Sequence, residues 1–124
     1  MASLPALESP CTYQLHIHLS RSITIPVGAL GNCHFPAGKY LYTGSARRNM
    51  EARIRRHCSK NKKLRWHIDY LLRHSAASVV SVTRSTTPEC KLNQAVAGEI
   101  PVPGFGASDC RNGCISHLKL IDPA

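Results

Sequence analysis

The residues whose types and spacing best suit shared chemistry lie in Gly38–His57. Tyr40 and Tyr42 alternate with Leu41 and Thr43, the period of a strand, and Gly44 and Ser45 end the pattern. Asn49 is a candidate N-cap. Met50, Ile54 and Cys58 then recur at i, i+4 and i+8, one face of a helix. Arg53 and His57 are also four apart and share a second stripe. A strand thus delivers two phenols, and a helix delivers a guanidinium and an imidazole, to one corner. The guanidinium is a fixed fork of donors for phosphate oxygens, and a phenol donates or accepts a proton. The chemistry that fits is the handling of a phosphate.

A second constellation is Cys90 with Cys110, Cys114 and His117. Cys-x3-Cys-x2-His with one distant Cys offers the ligand types of a tetrahedral zinc site. Reduced cysteine is also among the residues most often buried for packing alone. The chain holds six cysteines, and without a secretion signal reduced thiols or metal ligands are expected rather than a disulfide framework. A third feature is basic. Arg55 and Arg56 lead into the connector Lys60–Arg65, whose Lys60, Lys62, Lys63 and Arg65 form either a solvated turn or contacts to phosphates.

The elements that must position these groups are legible around them. Thr12–Leu19 alternates, with Tyr13, Leu15, Ile17 and Leu19 on one face, as a half-buried strand does. Ser22–Val27 alternates again, and Pro26 marks it as an edge. Turn residues follow up to the strand at Lys39–Thr43, so a hairpin is inserted between Tyr13 and Tyr42. Trp66–His74 reads as a helix with Ile68, Leu71 and Leu72 inward and Trp66, Asp69, Tyr70 and Arg73 on its flank. Trp66 and Tyr70 either stack a base or pack on the sheet. Ala77–Thr83 is apolar and β-branched, as a buried strand is. Thr87 as N-cap and Pro88 at the first helical position open a helix with Leu92, Ala95 and Val96 on its apolar face. Glu89 falls in its first turn, where the helix dipole favours a carboxylate. Leu118–Ile121 closes the chain as a short strand.

At 124 residues the chain is long enough for one core. We expect a single domain over 11–124 behind a loose lead-in at 1–10. Sixteen Lys and Arg against seven Asp and Glu give a net charge of +9, which favours a polyanionic partner. No apolar run is long enough to span a bilayer and no leader is evident, so a soluble, cytoplasmic protein without a membrane partner is expected.

Four stretches, in order, resemble the GIY-YIG endonuclease superfamily, and more closely its Uri-type, endonuclease-like branch of unknown function. They are Gly38–Ala46 (GxYxYxGSA), Arg53–His57 (RxxRH), Trp66–Leu72 (WHIDYLL), and Glu89-Cys90 with the Gly104–Leu118 tail (GFGxSDC…HL). The resemblance places the first motif triplet at Cys11-Thr12-Tyr13, with Cys11 where the superfamily has Gly. It implies an α/β (α+β) fold, a small mainly antiparallel sheet flanked by helices. It also implies metal-dependent hydrolysis of DNA, or of RNA. Tyr13 and Tyr42 are then the motif tyrosines, one of which handles the proton of the attacking water. Arg53 steadies the phosphate, His57 stands beside it, and Glu89 holds Mg²⁺ or Mn²⁺. Ser45 stands where many members have Lys. Asp109 or His117 stands in for the superfamily's asparagine, and His67 and Asp69 are further polar motif residues. Because the resemblance accounts for the tail without a metal cluster, no zinc is expected at Cys90, Cys110, Cys114 and His117. The alternatives are a non-catalytic nucleic-acid-binding module on the same fold and a zinc-stabilised interaction domain.

Overall fold

The computed structural model describes residues 9–107 and 110–124. Asp109 and the expected lead-in, apart from Ser9 and Pro10, lie outside the described residues. Side-chain alternation builds the sheet. In β1 (Thr12–Leu19) the side chains of Tyr13, Leu15, Ile17 and Leu19 are buried, and in β4 (Gly38–Ser45) those of Tyr40 and Tyr42 are. The two strands pair antiparallel along their whole length, Tyr13 opposite Gly44 and Leu15 opposite Tyr42. With period-two alternation this puts both sets on one apolar face. Strand β5 (Ala77–Ser85) pairs with the free side of β1, and β6 (Leu118–Pro123) with that of β4. The order is β5-β1-β4-β6, with every pairing antiparallel. Between β1 and β4 the chain forms the expected hairpin, β2 (Ile23–Pro26) with β3 (Asn32–Phe35), a separate two-stranded sheet.

Three helices complete the α/β domain: α1 (Met50–Cys58), α2 (His67–Leu72) and α3 (Glu89–Gln94). Ile54 of α1 and Ile68, Leu71 and Leu72 of α2 join the inward residues of β1 and β4 in one core. Fully burying such a side chain stabilises the fold by about 1.5–3 kcal/mol. Helix α3 packs beside β4. Its last carbonyls are held by the buried Lys119, whose Nζ donates to the oxygens of Asn93 and Val96 at 3.0 Å each. A cation at a helix C-terminus is favoured by the dipole. Here it aims the opposite end of α3, with Glu89 and Cys90, at the corner where β4 ends.

Several expectations change. On α1 the buried polar face is His57, and Cys58 is exposed. Asn49 gives no side-chain cap; it takes a left-handed φ of 54°, and its carbonyl accepts the Arg53 N–H. Pro88, not Thr87, occupies the N-cap of α3, and the residue α3 buries is Asn93 rather than an apolar one. Strand β5 is an edge strand with Val80 64% exposed; its composition suits burial, but the outer face there is uncovered. Among the described residues no helix is long and apolar enough to cross a membrane.

Candidate active site and adjoining metal-ligand cluster

The register of β1 and β4 sets the first wall of a cleft. Tyr13 leans over Gly44, where a Cβ would stand 2.6 Å from both Cζ and Oη of the ring. That distance is far inside contact, so the glycine after Tyr42-Thr43 is what lets the ring lie there. The phenol reaches α1 and meets His57 Nε2 at 2.7 Å in a buried hydrogen bond. Burial pushes the Tyr13 phenol up to about 12 and His57 down to about 4. At neutral pH the pair is therefore uncharged on both sides. Tyr42 faces the same imidazole edge-on, 6.3 Å between centroids, and burial pushes its phenol further up still. Gly106, at φ 67°, closes over the Tyr42 ring, and a Cβ there would come within 3.0 Å of it. His67, a motif residue without an expected role, accepts the Gly106 N–H at 2.9 Å and pins that loop.

Arginines surround Trp66. The guanidinium carbons of Arg56, Arg53 and Arg65 lie 4.6, 4.9 and 5.7 Å from its ring centroid, close enough for cation–π attraction. Trp66 thus carries guanidinium groups rather than offering a bare face to a base. Arg53 Nη1 also donates to the Ser45 carbonyl at 2.7 Å, which ties α1 to the end of β4. Arg56 makes a bidentate pair with Asp69 at 2.9 and 3.0 Å. Asp69 is fully buried, not on the helix flank, and it also accepts the N–H groups of Arg65 and Trp66 at 2.8 Å each. Burial alone would raise its pKa; Arg56 and those two N–H groups outweigh this and hold it below the usual range. Asp69 is the brace of this wall.

The basic connector divides. Lys62 Nζ donates to the carbonyls of Arg56 and His57 at the end of α1. Lys60 Nζ donates to those of Leu72 at the end of α2, His74, and Ala77 at the start of β5. Arg56, Lys60 and Lys62 are thus engaged within the fold. Of the six expected phosphate contacts, Arg55, Lys63 and Arg65 remain exposed with no salt bridge among the described residues.

The second wall is the first turn of α3 and the tail. Glu89 Oε1 accepts the Ser45 hydroxyl at 3.2 Å, and Oε2 lies 3.2 Å from His117 Nδ1. The same Nδ1 is 3.2 Å from the Thr43 carbonyl. Both neighbours are acceptors, so Nδ1 carries the proton. Nε2 is buried and has no partner among the described residues. The ligand atoms of Cys90, Cys110, Cys114 and His117 all lie within 4.8 Å of one another. This overturns the expectation of no zinc there: three sulfurs and an imidazole gathered so closely are positioned as the ligands of a zinc site would be. The sequence shows the four residues as a constellation; what it does not show is that the packing of α3 brings Cys90 against the tail.

The walls enclose a cleft of about 600 Å³. Tyr13, Tyr42, Arg53, His57, Arg65 and Trp66 line one side; Glu89, Cys90, Cys110, Arg111, Asn112 and His117 line the other. Glu89 is its one carboxylate among the described residues. Arg111 and Asn112 carried no signal beyond their place in the tail. A family model matches residues 12–123. The chain belongs to the family described as Domain of unknown function DUF123. The DUF123 match takes in both walls, from Tyr13 near its start to His117 near its end. No curated protein and no solved structure matches the chain.

Proposed function

We propose that this cleft hydrolyses phosphodiester bonds in nucleic acid, DNA in the first place, as a metal-dependent endonuclease of the GIY-YIG type. The observation that carries the reading is that Arg53 and the buried Tyr13–His57 pair share one cleft with Glu89. In the reaction Arg53 holds a non-bridging phosphate oxygen. Its guanidinium is already fixed by the Ser45 carbonyl and the Trp66 ring, so little reorganisation accompanies the build-up of charge.

Tyr13 alone is a poor base, since its phenol sits near 12. Relayed through His57 it need not ionise. With the phenol donating to Nε2, the attacking water gives a proton to the Tyr13 oxygen as the phenolic proton passes to His57. The resulting imidazolium, with a pKa near 4, returns its Nε2 proton to the Tyr13 oxygen after turnover, and the phenol passes one proton to water in the cleft, since His57 Nδ1 is buried without a partner among the described residues. Glu89 is 29% exposed, and its Oε1 is engaged only by the hydroxyl of the exposed Ser45, so that oxygen can take a hard cation. Such a cation, when bound, supplies positive charge to the phosphoryl and leaving oxygens.

The test is incubation of the pure protein with end-labelled single-stranded, duplex and branched DNA, and with RNA, in magnesium chloride or EDTA. Cleavage of DNA that EDTA abolishes is the expected result. Binding without cleavage on every substrate would contradict hydrolysis and leave a non-catalytic nucleic-acid-binding module.

A further inference from the structure

The structure points to a closed zinc centre in which Cys90, Cys110, Cys114 and His117 are the four ligands and Glu89 orients the histidine; we propose it independently of the cleavage reading. Between α3 and β6 no helix or strand forms among the described residues, although this segment supplies half of the cleft. A segment of that length without regular structure is uncommon in a compact domain; Val102 and Phe105 anchor its middle in the core, and the stretch around Cys110 and Cys114 lies beyond that anchor. The four groups are at its two ends and its middle: Cys90 on the first turn of α3, Cys110 and Cys114 in the loop, His117 just ahead of β6.

The distances suit a tetrahedron. At a Zn–S length of about 2.3 Å the sulfurs of such a site stand about 3.8 Å apart. Here Cys90 and Cys110 are at 3.5 Å, and no pair of ligand atoms exceeds 4.8 Å. The turn between the two loop cysteines is made by Gly113, whose φ of 79° a side-chain-bearing residue rarely adopts.

The second, independent observation is at His117. Its ring is 2% exposed, and its Nε2 is a buried nitrogen without a partner among the described residues. An orphaned polar atom of this kind asks for an explanation. With Nδ1–H turned to Thr43 and Glu89, Nε2 presents its lone pair. A histidine whose other nitrogen is held by a carboxylate and a backbone carbonyl is the usual arrangement around a metal, because it fixes the tautomer and strengthens the donor. Four protein ligands leave no open position, so the centre is structural. It ties the tail to α3 and thereby fixes the residue that faces the first wall. Glu89 acts on it as a positioning residue, through His117.

Protein purified in reductant without added metal should carry one zinc per chain. After zinc is stripped with a chelator, Co²⁺ should give intense sulfur-to-metal charge transfer and the strong visible bands of a tetrahedral site. Neither reading depends on a variant that fails to fold. Glu89→Gln should weaken zinc about 10–100-fold in competition with a chelating dye. In a His117→Cys background, which keeps four ligands, the same change should have no effect. Protein that neither retains nor takes up stoichiometric metal, or a weak six-coordinate cobalt spectrum, would overturn the site. An equal loss from Glu89→Gln in both backgrounds would overturn its link to His117. Loss of zinc without loss of cleavage, or the reverse, separates this inference from the proposed activity.

Discussion

On one wall of the cleft, Tyr13, Tyr42 and Gly44 are held by the β1–β4 register, and Arg53 and His57 by a helix braced through Asp69. On the other, Glu89 and His117 depend on a short helix, a few hydrogen bonds and a segment without regular structure. Backbone ladders and core burial specify the first wall. The second is pinned to the core at Val102 and Phe105, but the groups it turns towards the cleft are specified by polar contacts and by the Cys90–Cys110–Cys114–His117 cluster. The same cleft therefore joins a wall that resists local change with one whose order hangs on a few contacts.

The brace is the place to break the first wall. Asp69→Ala should destabilise the protein by about 3–5 kcal/mol, because it leaves the Arg56 guanidinium unpaired and removes two N–H acceptances at the start of α2. Chemical denaturation measures it; a loss below about 1 kcal/mol would show that the pair does not hold the wall. Next in size, Gly44→Ala should cost about 1–3 kcal/mol by overpacking. It should also displace the Tyr13 ring from His57, visible as a changed imidazole resonance.

Lys63→Ala and Arg65→Ala should each reduce the slope of log affinity for DNA against log salt by about 0.7–0.9. Lys60→Ala, whose ammonium serves carbonyls inside the fold, should leave that slope unchanged and lower the melting temperature. The reverse pattern would contradict the division of the connector. A further effect is a single proton. His57 is depressed to about 4 in the fold against an ordinary 6.5 when unfolded. Between those values the unfolded chain binds more protons, so stability is fully present above about pH 6.5 and is lost as pH falls towards 4. The difference between wild type and His57→Asn, followed by denaturation across that range, isolates it.

Local patterns carried most of the first wall into view. Alternation located β1 and β4, the four ordered motifs singled out Tyr42, Arg53, His57 and Glu89, and the motif triplet at Cys11-Thr12-Tyr13 added Tyr13. What local pattern lacks is the identity of partners far apart in sequence. Asp69 is thirteen residues from Arg56, and nothing between them signals a buried ion pair. Lys60 and Lys62 look like any basic turn until their carbonyls are known. Strand β5 has a buried strand's composition because one of its faces is covered, and composition does not say which. Cys90, Cys110, Cys114 and His117 are legible as a constellation, but their closing into one cluster depends on the docking of α3, through Asn93 and Lys119. Those two buried polar residues interrupt the pattern that sequence reading relies on.

If the two walls act on one phosphate, their removal should not add. Single-turnover cleavage of labelled DNA by wild type, Arg53→Ala, Glu89→Gln and the double variant, each with a melting curve, tests this most directly. Each single change should slow cleavage by about 10²–10³ with the fold intact, and the double variant should be little slower than the worse single. An unchanged rate in either single variant, or losses that multiply in the double, would contradict the account.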